Sequence, residues 1–189
     1  GWWMNKILRT DDFTAEQQGM EDNLGCNQVF FLPYLMGERS PHNDVNARGS
    51  FIGMTLDTDR RDMLQAVLAG VSFGLRDSVE IARKLGIKIE RSKVCGGGAK
   101  NKVWLKMLAS ILNMKLDVPA VEEGPSMGSA MLAAVACGHF KTVSEACDHI
   151  TAVKETIEPD LELVKAYDKK YALYKNLYPA LRDQFKEMA

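Results

Sequence analysis

The sequence predicts an α/β domain whose strands are flanked by long helices, and three observations carry that prediction. Residues 92–118 run in the order strand, glycine turn, helix, strand, which is the order of an α/β unit. The stretch DRRDMLQAVLAGVSFGLRDSVEIARKLG repeats apolar residues at three- and four-residue steps. Leu64, Val67, Leu68, Val71, Leu75, Val79, Ala82 and Leu85 therefore mark one face of a long helix. The segment EPDLELVKAYDKKYALYKNLYPALRDQF sets Val164, Tyr167, Tyr171, Tyr174 and Tyr178 on a second helical stripe, read as core or interface. With 46% hydrophobic and 26% charged residues, the 189-residue chain has the balance of a globular domain with a real core.

The elements follow in chain order. Trp2 to about Leu8 has a short helical pattern, and a polar stretch follows it. VFFLPYL (29–35) is aromatic and apolar and is interrupted by Pro33, so it predicts a short strand or a buried extended segment. MGERSPHNDVNARGS (36–50) is dense in turn formers and charges, which predicts a loop. FIGMTL (51–56) predicts a second short strand. Asp57, Thr58 or Asp59 is placed to cap the long helix, and Gly86 sits where a left-handed residue ends one. Gly70 and Gly74 lie inside that helix, where each costs about 1 kcal/mol against alanine; close approach of a neighbouring element is the expected reason. IKIERSKVC (87–95) alternates and predicts one or two strands. Val103, Trp104, Met107, Leu108, Ile111 and Leu112 then predict an amphipathic helix, and MKLDVP (114–119) a strand that Pro119 stops. EEGPSMGSAMLAAVACG reads as a loop and a helix of small residues. Thr142 and Glu145 have the spacing of a capping box. Pro179 is expected to kink or restart the last helix.

The bulk numbers exclude several functions. Lys plus Arg total 24 against 25 Asp plus Glu, so no basic excess points to nucleic acid. No apolar run is long enough to span a bilayer, and GWWMNKILRTDDF has no signal-peptide core. Cys26, Cys95, Cys137 and Cys147 form no CxxC pair and read as reduced thiols of a cytoplasmic protein. His42, His139 and His149 have no metal-ligand spacing.

Three stretches are candidates for function. VCGGGAKNKVW (94–104) makes a tight strand-to-helix turn. Such a turn presents backbone N–H groups and the positive end of a helix to an anion, and its missing Cβ atoms admit a base or ribose. The alternative is a plain structural turn. The P-loop pattern GxxxxGK[ST] is absent, and the dinucleotide fingerprint GxGxxG fails at Asn101. Asp117 nevertheless stands about 20 residues on, in the place of a ribose-binding acid, and keeps a Rossmann module as the alternative function. In FLPYLMGERSPHND, the residues Glu38, Arg39, His42 and Asp44 crowd a loop that positions substrate or closes a cleft, or in which Arg39 pairs with a carboxylate to hold the loop's shape. In EEGPSMGSAMLAA, small residues permit close packing on a sheet or a ligand, and Ser126 is a candidate N-cap. No Ser–His–Asp arrangement has supporting context.

Taken together, five ordered stretches resemble the C-terminal half of the FGGY carbohydrate kinases, most closely the xylulokinases. They are FLPYLMGERSPHNDVNARGSFIGMTL, LAGVSFGLRDSVE, VCGGGAKNKVWLKMLASILNMKLDVP, EEGPSMGSAMLAAVACG and EPDLELVKAYDKKYALYKNLYPAL. The resemblance implies an actin-like ATPase architecture, two ribonuclease-H-like domains around a deep cleft. Residues 1–189 would form most of the second, nucleotide-binding domain, truncated at its N-terminal side. It implies ATP and Mg2+ as cofactors and transfer of the γ-phosphate to a ketopentose, D-xylulose first, with gluconate, glycerol and other pentuloses as the family's alternatives. On the same resemblance Gly97, Gly98, Ala99 and Asn101 match the nucleotide contacts. The glycine backbone would line base and ribose, and the Asn101 side chain would hydrogen-bond the nucleotide, although the family often has Ser at this position. The aspartate base, the phosphate loops and the sugar-binding residues lie upstream in the family. No catalytic residue and no metal ligand is therefore assigned in this chain. The expected partners are ATP, a small sugar and the protein's own N-terminal domain, with a homodimer left open. A bulky residue at Gly98 is expected to weaken nucleotide binding.

Overall fold

The tryptophan-led start of the chain folds as a wide helical turn, Trp3–Leu8, and a short helix α1 (Phe13–Gln17) follows, with Asp12 accepting from the Ala15 N–H. The computed structural model describes residues 2–120 and 124–188. Strand β1 (Phe30–Leu32) pairs antiparallel with β2 (Ser50–Ile52), Phe31 opposite Phe51. Both strands are shorter than the apolar runs that contain them. Pro33 ends the first because it has no N–H to give a ladder, and Gly53, at φ +86°, turns the chain out of the second.

Helix α2 (Arg60–Lys84) opens in a capping box. Asp59 accepts from the amides of Arg61 and Asp62, and the Asp62 carboxylate accepts from the Asp59 N–H at 3.1 Å. Beyond the far end, Gly86 takes φ +84° as expected. The two internal glycines turn out to differ. A Cβ added at Gly70 would lie 2.1 Å from the carbonyl oxygen of Phe31, so β1 crosses α2 in backbone contact at that point. A Cβ at Gly74 would meet only Pro33 and Tyr174 at ordinary distances of 3.8 and 3.9 Å.

Strand β3 (Arg91–Lys93), helix α3 (Lys102–Leu112) and strand β4 (Lys115–Pro119) form the predicted α/β unit, with β3 parallel to β4. Helices α4 (Gly124–Ala136) and α5 (Val143–Ile150) come next, and then β5 (Val153–Ile157), antiparallel to β4. The sequence pattern gave no sign of β5. Thr142 caps α5 by accepting from the Glu145 N–H at 3.1 Å, but the Glu145 carboxylate accepts from Lys141 instead of closing the box. Glu122 and Glu123 lie outside the described residues. Helices α6 (Leu161–Tyr174) and α7 (Leu177–Glu187) finish the chain. Pro179 sits in the first turn of α7, where a missing N–H is tolerated, so it belongs to a restarted helix rather than a kinked one.

The main core joins these pieces. Leu32 and Tyr34 from the β1 segment, Leu64 and Phe73 from α2, Met107 and Ile111 from α3, and Tyr167 and Tyr174 from α6 share one cluster. A second cluster, with Leu105, Leu108, Leu112 and Leu116, ties α3 to the three-stranded sheet. The tyrosine stripe is thus core. Its partly exposed member, Tyr171, donates to Asp77 at 2.7 Å and lies under the guanidinium of Arg76.

Candidate functional site

The glycine turn is built from both of its ends. Gly96 follows β3 at φ +85°, a conformation that glycine adopts without strain. Gly97–Lys100 then makes one tight turn, in which the Ala99 N–H donates to the Gly96 carbonyl at 3.0 Å. The Asn101 side-chain oxygen accepts from the Trp104 N–H at 2.9 Å and so N-caps α3. Its amide nitrogen has no partner among the described residues.

Gly97 and Gly98, equivalent in the sequence, are physically unlike. A Cβ on Gly97 would have nothing within 4 Å, whereas one on Gly98 would sit 2.1 Å from the Trp104 ring. Trp104 is itself fixed: its indole N–H donates to the Ser72 hydroxyl at 3.0 Å and approaches the Leu68 carbonyl at 3.3 Å. Gly98 is therefore the seat on which the turn rests against α3 and α2, and Gly97 is its open face. The turn lines an open cleft of about 1610 Å3. Leu64, Val67, Leu68 and Val71 of α2 line the same cleft, as do Trp2 and Asn101. This exceeds the roughly 300–1,000 Å3 of a small-molecule site, so a bound ligand needs only part of it.

Asp117 does not serve this cleft. Its carboxylate accepts from the Thr156 hydroxyl at 2.7 Å and from Arg91 at 2.9 Å, and the residue is 5% exposed. The Rossmann alternative falls with it, since the acid expected to take a ribose is spent on cross-strand bonds and β5 runs antiparallel beside it. The Thr156 hydroxyl, and then Arg91, hold the Asp117 carboxyl below its usual 3.8. A carboxyl lowered in this way stabilises the fold fully above that pH, and the contribution fades as the pH falls through the lowered value. Asp117→Asn is expected to be less stable near neutrality and to show a flatter acid limb in urea midpoints; an acid limb identical to wild type would refute the assignment.

The second candidate stretch is a braced loop. Both Glu38 carboxylate oxygens are used, accepting from the N–H groups of Ser40 and His42 at 2.7 Å each. Asp44 accepts from the Asn46 N–H at 2.8 Å and from the Tyr178 hydroxyl at 2.7 Å. His42 stacks on the Tyr178 ring, with centroids 3.9 Å apart. Three of the four predicted residues thus shape the loop, and Tyr178 of α7, read from the sequence only as a core or interface residue of the tyrosine stripe, fastens it. Arg39 does not pair with a carboxylate as expected; among the described residues it is exposed and without a partner. Ser126 lies inside the first turn of α4 rather than capping it.

All four cysteines are free. Among the described residues no cluster of three metal-ligating side chains occurs, and no helix is long and apolar enough to cross a membrane.

Residues 3–137 match the family model described as the FGGY family of carbohydrate kinases, C-terminal domain. The chain is 36% identical over 183 residues to a xylulose kinase of Bacillus subtilis, covering 96% of this chain and 37% of that protein. Among solved structures, a ligand-bound xylulose kinase from Lactobacillus acidophilus superposes with a TM-score of 0.89 at 26% identity, covering 99% of this chain and 38% of that one. A gluconate kinase from the same organism gives 0.87 at 27%, with the same coverage. A Plasmodium falciparum glycerol kinase solved with ADP gives 0.79 at 25%, covering 95% of this chain and 36% of that one. The chain thus spans little more than a third of the length of these relatives.

Proposed function

This chain belongs to the FGGY family of carbohydrate kinases, and from that premise we propose that residues 1–189 are the nucleotide-binding part of an ATP-dependent sugar kinase. The observation that carries the reading is the open face at Gly97: a turn pinned on both sides, in a cleft, with empty space where a side chain would stand. Backbone can approach a ribose or base there as no other residue type allows. In this reading Gly97 and Ala99 lie along the adenosine end, Gly98 holds the turn on Trp104, and the Asn101 amide nitrogen donates to the nucleotide while its oxygen keeps the helix cap. ATP would supply the γ-phosphate when bound, with Mg2+ beside its phosphates; no residue here is assigned to the γ-phosphate or to the metal. This chain binds and orients, and the proton-accepting group belongs elsewhere in the polypeptide.

D-xylulose is the sugar we assign first, with D-xylulose 5-phosphate as product, because xylulose kinases recur among the relatives. Gluconate and glycerol kinases are also among them, so the sugar must be measured. The four free cysteines fit a reducing, cytoplasmic setting. The test is a coupled ADP-release assay of the full-length protein against a sugar panel. Turnover strongest with D-xylulose, and none from residues 1–189 alone, is the expected result. Turnover led by gluconate or glycerol reassigns the sugar, and no sugar-dependent ADP release with any of them overturns the kinase reading.

A further inference from the structure

The cleft has an aromatic wall that the glycine turn does not explain. Trp2 lines the same cleft as Gly97 and is 39% exposed, a large apolar ring facing open space. It is held in place nonetheless. Its plane lies 8° from that of Phe31, with centroids 6.1 Å apart, and Trp3 tilts against it at 5.9 Å. Phe31 and Trp3 are buried, and both pack on Phe51, at 4.6 and 5.3 Å. The Trp2 indole N–H has no partner among the described residues. A ring braced by two buried rings, with a free donor at its edge, loses little freedom when a flat heteroaromatic group stacks on it.

We propose that Trp2 is a base-recognising residue of this cleft, the indole taking the face of the nucleotide's base while the ribose runs along the open backbone at Gly97. The proposal rests on the nucleotide reading above and adds to it the residue that distinguishes a nucleotide from a bare polyphosphate. Stacking asks only for a π-face, so Trp2 selects for a base without choosing strongly among bases.

The test compares wild type with Trp2→Ala, Trp2→Leu and Trp2→Phe in the full-length protein, titrated with ATP, with tripolyphosphate and with D-xylulose. Trp2→Ala is expected to weaken ATP binding by about tenfold or more, the size of one lost base stack, and to leave tripolyphosphate and sugar binding unchanged. Trp2→Leu keeps apolar bulk against Phe31 and is expected to show the same loss if the smaller variant does not fold. Trp2→Phe keeps most of the affinity but loses the part of the tryptophan quenching that ATP, and not tripolyphosphate, produces. Wild-type ATP affinity in folded Trp2→Ala or Trp2→Leu overturns the proposal, and so does quenching by sugar in place of ATP. If ATP fails to bind even the wild type, the nucleotide reading itself is lost; if Gly97→Val abolishes binding and the Trp2 variants do not, only the role of Trp2 is.

Discussion

In the full-length protein, Gly97→Val is expected to lose ATP binding by at least about tenfold, or 1.4 kcal/mol, while its melting temperature stays that of wild type. Gly97 does not lie in the left-handed region, so an L-residue meets no backbone strain there. A Cβ there meets nothing within 4 Å beyond its own chain neighbours, so a valine is expected to displace chiefly what enters the cleft. Gly98→Val is expected to lose binding too, but by a different route. Its side chain would drive into the Trp104 ring, which is hydrogen-bonded to Ser72, so the ring and the start of α3 must shift. Gly98 therefore cannot separate the two roles of the turn, although the sequence makes it the obvious position to change. Calorimetry with ATP beside a thermal melt distinguishes the pair. Wild-type affinity in a folded Gly97→Val protein would place the nucleotide away from this turn.

The second large effect has opposite signs at two positions that look alike. Gly70→Ala is expected to lose about 2 kcal/mol or more, since overpacking costs about 1–3 kcal/mol and here the obstacle is the backbone oxygen of Phe31. That oxygen belongs to β1, so relief means moving a strand off its helix. Gly74→Ala instead gains up to about 1 kcal/mol of helix propensity, because its new methyl meets only ordinary contacts. Urea denaturation of the two variants checks this; a shift in the same direction for both would remove β1 as the cause.

These pairs also mark where the sequence stops being legible. Helices α2 and α3 are readable because their apolar steps are local, and the ends of α2 because Asp59 and Gly86 are chemically marked. The strand–turn–helix order around the glycines is readable for the same reason. Strand β5 is not, since VKETI gains its identity from β4, with Thr156 bonded to Asp117 from 39 residues away. The clasp between Asp44 and Tyr178 spans 134 residues and leaves no local trace. Nor can a run of three glycines disclose which one faces a ring: that depends on where α2 holds Trp104. The apolar cleft floor was legible as a helical stripe, but a stripe does not say whether it meets protein or solvent.

The Tyr178 clasp bears on how this protein is handled. Helix α7 looks like a dispensable tail, polar and last in the chain, the kind of segment removed when an expression boundary is trimmed. A stop or fusion junction placed after Tyr174 would delete the hydroxyl that holds Asp44 and the ring on which His42 lies. The same cut would take Tyr178 and Phe185 out of the main core, and the loop at residues 36–48, far away in sequence, would lose its brace with them.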